Sequence, residues 1–149
     1  MANIVPFAFK GELMSGTHNF SAGGNTFFLA LYTSNPYSTA STAYVTTNEG
    51  SGANSSTYTA GGKQLQNQQV GASTATTTVD FDNLTWGAAT TGAATFGAAF
   101  AAIYNSTNAN KIVVVLDFGG TKTATNGDFT IAFPRTSTPA NAILSLTSS

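Results

Sequence analysis

IVVVLDFGGTKTATNGDFTIAF, residues 112–133, decides the fold class. Its first five residues, Ile112 to Leu116, are an unbroken aliphatic run rich in β-branched side chains, shorter than a buried helix and suited to the most buried strand of a sheet. Gly119, Gly120 and the Asn126–Gly127 pair are strong turn chemistry, and Phe129, Ile131 and Phe133 then alternate up to Pro134. The pattern predicts that residues 112–116 and 129–133 pair as an antiparallel hairpin with residues 117–127 as a long tip.

Working outward, the period of two recurs. Phe27, Leu29 and Leu31 line one face of a strand, with Phe28, Ala30 and Tyr32 on the other. Both faces are apolar, so this strand is either central in a sandwich or covered by a partner. Asn35 and Pro36 end it, and the Ser, Thr, Asn and Gly content of residues 33–64 predicts a long excursion with a short strand near 43–47. Gly61 and Gly62 then turn the chain into a polar edge strand across 63–69. Residues 76–81 alternate, with Val79 and Phe81 inward and Asp80 and Asp82 on the opposite face. Residues 87–94 read as loop, 95–104 as strand, 105–110 as a polar turn and 142–146 as a last strand. At the other end, Pro6 and Gly16 bracket a short helix over 6–14 whose apolar residues are Phe7, Phe9, Leu13 and Met14. About seven strands and one helix predict an all-β fold, a single-domain β-sandwich or jelly-roll-like structure spanning 1–149, with residues 1–16 as an N-terminal segment.

Charge sets the functional class. Only 7% of the 149 residues are charged, while Thr, Ser and Asn supply 25, 14 and 13; an average soluble domain is about 25% charged. A surface so poor in charge is expected to be covered by neighbouring copies or by a larger particle. The five basic residues, Lys10, Lys63, Lys111, Lys122 and Arg135, are spread singly, so no stripe exists to neutralise phosphates and nucleic acid is not an expected direct partner. No apolar run approaches the roughly 20 residues of a membrane helix, and the N-terminus lacks a basic n-region, so a soluble protein made in a cytoplasm is expected, with no membrane partner. With no cysteine, stability rests on packing and pairing. In a chain this rich in Ser and Thr, the sequons at Asn19, Asn54, Asn83 and Asn105 arise by chance.

Candidate chemistry is sparse. His18 is the only histidine, without a Gly-x-Ser-x-Gly elbow and with Glu12 as the nearest acid, so it reads as a hydrogen-bonded turn residue rather than a general base. Asp80 and Asp82 are the closest carboxylate pair, which Asp117 and Asp128 could join across the hairpin. They lack calcium-loop spacing, and alternation on a polar face accounts for them. Three glycine pairs, at 23/24, 61/62 and 119/120, read as turns rather than a phosphate cradle. No catalytic, metal or cofactor residue is assigned. The assigned interface residues are Phe7, Phe9, Leu13 and Met14, more apolar area than one short helix buries on a single stripe.

Eight phrases in order along the chain resemble one family: FKGELMSGTHNF (9–20), LALYTS (29–34), TTNEGSG (46–52), YTAGGKQL (58–65), VDFDNLTW (79–86), AAIYN (101–105), LDFGG (116–120) and GDFTIAFP (127–134). Together they resemble small virion structural proteins of tailed bacteriophages that infect aquatic bacteria. The Gly/Ala/Thr stretch after Trp86 departs from that pattern in its length. The resemblance implies a non-enzymatic virion component without cofactors, assembled in the host bacterial cytoplasm. Its expected role is a homo-oligomeric capsid decoration or cement protein whose partner is the major capsid protein or another virion protein. The alternative is a tail, neck or fibre component that contacts host surface glycans through Tyr37, Tyr44, Tyr58 and Trp86.

Overall fold

The computed structural model describes residues 2–50, 57–87, 93–134 and 142–148. The fold is all-β with one short helix, as the patterning predicts. Helix α1 (Phe7–Met14) precedes strands β1 (Phe27–Tyr32), β2 (Lys63–Gln64), β3 (Gln69–Ala72), β4 (Thr76–Asp80), β5 (Leu84–Trp86), β6 (Ala94–Asn105), β7 (Lys111–Gly127), β8 (Phe129–Ile131) and β9 (Leu144–Thr147). These form three antiparallel sheets, ordered β2-β1-β6-β7, β3-β4-β9 and β5-β8. The loop expected over 87–94 falls mainly on residues outside the described ones.

The expected hairpin between residues 112–116 and 129–133 does not form. Residues 111–127 are one strand of 17 residues, β7, paired with β6, while β8 pairs with β5, Trp86 opposite Phe129. Gly119 and Gly120 do take left-handed backbone, at φ 69° and 136°, but they build a bulge instead of a reversal. Ala98 pairs with Lys122 and Phe100 with Asp117, so Ala99 alone faces residues 118–121. The reversal lies earlier, at the polar residues 106–110, where Ala109 and Asn110 have φ of 52° and 54°. The real hairpin is therefore β6–β7.

The largest sheet is apolar on both faces, and the chain covers both itself. Phe27, Leu29, Leu31, Ala101 and Ile103 join Phe81, Leu84, Trp86, Phe96, Phe129 and Phe133 in one core cluster. On the other face Ala30, Tyr32, Ala102, Tyr104, Ile112 and Val115 are covered by Ile4, Tyr37 and Tyr44. A second register shift, between Ile103↔Val114 and Tyr104↔Ile112, makes Val113 a bulge. Val113 and Val114 consequently both enter the first cluster, and Ile112 and Val115 the second.

The excursion after β1 is fastened by isolated bridges, Tyr32 to Glu49 and Ala43 to Lys111, so the short strand expected near 43–47 shrinks to one bridge. It returns through Gly62, where a Cβ would stand 1.9 Å from the Leu29 carbonyl oxygen. Only glycine lets β2 lie this close to β1.

Candidate functional site

Helix α1 closes with Gly16 in the left-handed region at φ 76°. Gly16 N–H donates to Leu13 C=O and Thr17 N–H to Glu12 C=O, a Schellman ending that fixes where Glu12 and Leu13 point. Phe9 is buried, its ring 5.1 Å from that of His18 and 6.3 Å from that of Phe20. Leu13 packs on the same cluster. The interface assignment thus divides, with Phe9 and Leu13 filling this chain's own core. Phe7 is 66% exposed and Met14 91% exposed. Seven residues apart, these two share the outward face of the helix. Lys10 lies beside Phe7, its Nζ 5.5 Å from the ring centroid.

Polar groups clamp the helix from beneath. Asn105 Oδ1 accepts the backbone N–H groups of Thr107 and Asn108, which turns its amide nitrogen toward His18 Nδ1 at 3.0 Å. His18 Nδ1 is therefore the acceptor, and Nε2–H donates to Glu12 Oε2 at 3.0 Å. Glu12 Oε1 takes the Lys111 ammonium. Both ring nitrogens of His18 are thus engaged in joining α1 to the β6–β7 turn. Glu12 is visible in the sequence as the acid nearest His18, but Asn105 and Lys111 are not, because the pairs His18–Asn105 and Glu12–Lys111 lie 87 and 99 residues apart.

Burial alone would raise the Glu12 carboxyl, but the hydrogen bonds from Lys111 and His18 and the Lys111 charge outweigh it and hold Glu12 below its ordinary value of 4.5. A depressed folded-state value contributes stability that is fully present above pH 4.5 and lost as pH falls through the folded value. Glu12→Gln is accordingly expected to cost about 1–3 kcal/mol at neutral pH and to flatten the acid limb of stability. Urea midpoints between pH 7 and pH 3 measure both; an unchanged pH slope would remove Glu12 from the clamp.

The sequence gives no sign of a second polar centre, which lies at the β1 edge of the large sheet, where Glu49 bridges Tyr32. Glu49 is buried and accepts Tyr44 Oη at 2.5 Å, Tyr58 Oη at 2.8 Å and Gly61 N–H at 2.7 Å. Tyr58 Oη also accepts Leu31 N–H, so its own proton must go to Glu49. Beside it a closed circuit runs from Val45 N–H to Tyr37 Oη, on to Tyr32 Oη at 2.6 Å and back to Val45 C=O. Burial, aided by the Glu49 charge, pushes the Tyr104 hydroxyl up to about 12 and raises those of Tyr32, Tyr44 and Tyr58 as well. These phenols keep their protons and serve as fasteners.

The aromatics expected to be exposed for glycan contact are mostly inside. Tyr37, Tyr58 and Trp86 are buried, and only Tyr44 is half-buried. Trp86 packs edge-on against Phe96 and Phe129, and Tyr58 against Phe96. Asp80 Oδ1 accepts Phe81 N–H at 2.8 Å, and Asp82, beyond the end of β4, accepts Asn67 Nδ2 at 2.5 Å. Among the described residues no three His, Cys, Asp or Glu side chains converge as metal ligands. The hairpin that was to bring Asp117 and Asp128 together is replaced by the continuous strand β7.

No family model, curated protein sequence or solved structure matches the chain.

Proposed function

We propose that this chain is a non-enzymatic structural subunit of a tailed-phage virion, a capsid decoration or cement protein that seats α1 on the lattice of the major capsid protein. The outward apolar face of α1, Phe7 with Met14, carries the assembly part of the reading. A helix clamped by buried Phe9 and by His18, Glu12 and Lys111 presents that face without having to order it on docking, which reduces the entropic cost of association. The low charge of the whole chain supports the same reading. The virion as the particle rests on the sequence resemblance.

Virions propagated from the genome that encodes the chain provide the test. An antibody to it is expected to label heads, in numbers that track the major capsid protein. Label confined to a tail or neck would favour the alternative of a tail, neck or fibre component. Particles without label would overturn both.

Two results follow for attachment. Phe7→Ser combined with Met14→Ser removes only exposed apolar surface, so stability should move by no more than about 0.5 kcal/mol. Loading onto stripped particles should fall about tenfold or more, since each docked side chain contributes roughly 1.5–3 kcal/mol before ordering costs. Full loading by the folded double variant would show that α1 is not the attachment element. Salt at about 0.5 M, where screening is strong, should change occupancy little; stripping by salt would point to an ionic interface instead.

A further inference from the structure

We infer that β9 is a docking edge for a second copy of this chain, the two β9 strands pairing antiparallel about a two-fold axis at Ser145. This goes beyond the reading above, naming the surface through which copies of the chain meet, and it does not require the particle.

Strand β9 is the outer strand of β3-β4-β9. Ser148 N–H donates to Ala75 C=O, and alternate residues of an antiparallel strand turn their backbone groups to the same side. Leu146 and Leu144, in register with Thr77 and Val79, therefore bond inward to β4. The N–H and C=O groups of Ile143, Ser145 and Thr147 face outward, and among the described residues no turn, loop or cap hydrogen bond reaches them.

Natural sheet edges are usually blunted by charge, proline or bulges. Strand β7 carries such defences, with Ile4 bridged to Val115, the Asn3 side chain bonded to Asp117 N–H, and beyond them the glycine bulge and Lys122. Leu144-Ser-Leu-Thr147 has no charge, no proline and an unshifted register with β4. Its neutrality removes like-charge repulsion between two copies.

The side chains favour a second copy over an unrelated strand. Leu144 packs on the core, while Leu146, on the same face, is 64% exposed. An axis at Ser145 sets Leu144 opposite Leu146 of the partner subunit, and Leu146 opposite Leu144 of the partner subunit. The exposed leucine of each copy is thereby covered by the half-buried leucine of the other. Ser145 then meets its own counterpart as a hydrogen-bonded pair, with Ile143 and Thr147 forming the next pairs on either side. Moving the axis to Leu146 would leave Leu144 facing a serine. The strand is thus self-complementary in one register, and the resulting six-strand sheet is closed by symmetry.

A four-residue edge buries less than the roughly 1,000 Å² of a stable interface, so a covalent trap is the suitable probe. The chain has no cysteine, and Ser145→Cys places two thiols directly opposite one another. Thr147→Cys places its two thiols four residues apart along the ladder, about 14 Å, beyond the roughly 7 Å Cα separation a disulfide tolerates. Under a mild oxidant the full chain carrying Ser145→Cys should form disulfide dimers at least about tenfold faster than that carrying Thr147→Cys, because pairing raises the local thiol concentration. Adding Leu146→Lys to Ser145→Cys should abolish that excess while leaving the melting temperature unchanged. Equal rates at the two positions, no dimer at either, or undiminished trapping with Leu146→Lys would overturn the inference. Rapid Ser145 trapping with unlabelled virions would leave this pairing standing and remove the virion reading; labelled heads without trapping would do the reverse.

Discussion

Val114→Asp is expected to leave little folded protein at any temperature. Val114 is 1% exposed, sits opposite Ile103 in the β6–β7 pair, and belongs to the core cluster shared with Phe27, Trp86 and Phe96. The bulge at Val113 decides this, because without it Val114 would lie on the opposite face from Val113. An aspartate there forfeits about 1.5–3 kcal/mol of apolar burial. It also strands a carboxyl with no partner, at several kcal/mol more whether it stays charged or takes up a proton. A domain's whole stability is about 5–15 kcal/mol, so the sum removes most or all of it. Val114→Ala, which only deletes two carbons, should cost about 2 kcal/mol and stay folded. Circular dichroism melts of the two variants check the pair. A Val114→Asp protein that melts with the native one would mean that this residue does not face the core.

Much of the sheet was legible because burial on both faces leaves an apolar run that alternation alone reveals. Strand β1 was read that way, down to which residues share a face, and the structure identifies its cover as Ile4, Tyr37 and Tyr44. Pairing was less legible. Residues 129–133 alternate as a strand whichever neighbour they have, and Gly119–Gly120 supplies the same left-handed backbone to a turn as to a bulge. The sequence cannot separate the two, since the choice depends on β6 continuing to pair beyond Phe100. The helix shows the same division. Its apolar residues were visible, but which of them turn inward is set by His18 and Phe20, contacts that the period of the helix does not contain. Tyr37 and Tyr58 were misplaced because a tyrosine in a loop looks exposed until its hydroxyl partner is known. That partner, for Tyr58, is Glu49, and for Tyr37 it is the circuit through Tyr32 and Val45. Trp86 was misplaced because its cover, Phe96 and Phe129, comes from other strands, β6 and β8.

Glu49→Ala should lower the melting temperature by about 10 °C or more. The reason lies in the direction of its hydrogen bonds. Three donors converge on one buried carboxylate, and truncation takes that acceptor from the buried Tyr58 Oη and from the half-buried Tyr44 Oη and Gly61 N–H. Each stranded donor costs about 1–3 kcal/mol, and those facing a charged acceptor sit toward the upper end. A hydroxyl can rotate to seek water, but that of Tyr58 is held by Leu31 N–H and the Gly61 amide is fixed by the turn into β2, so a net loss of about 3–5 kcal/mol is expected. Glu49→Gln should be far milder. Its carbonyl oxygen can keep Tyr58 and Gly61, while its amide donates to Tyr44 Oη, which can turn to accept. The loss should also be local before it is global, because Glu49 binds the excursion between β1 and β2 rather than the β6–β7 ladder. Hydrogen exchange in the alanine variant should therefore quicken first at Gly50, Gly61 and Gly62, with Ile103 and Val114 following only as the whole domain opens. Uniform quickening across both groups would show that the excursion and the central sheet open as one unit, with Glu49 acting on the whole core.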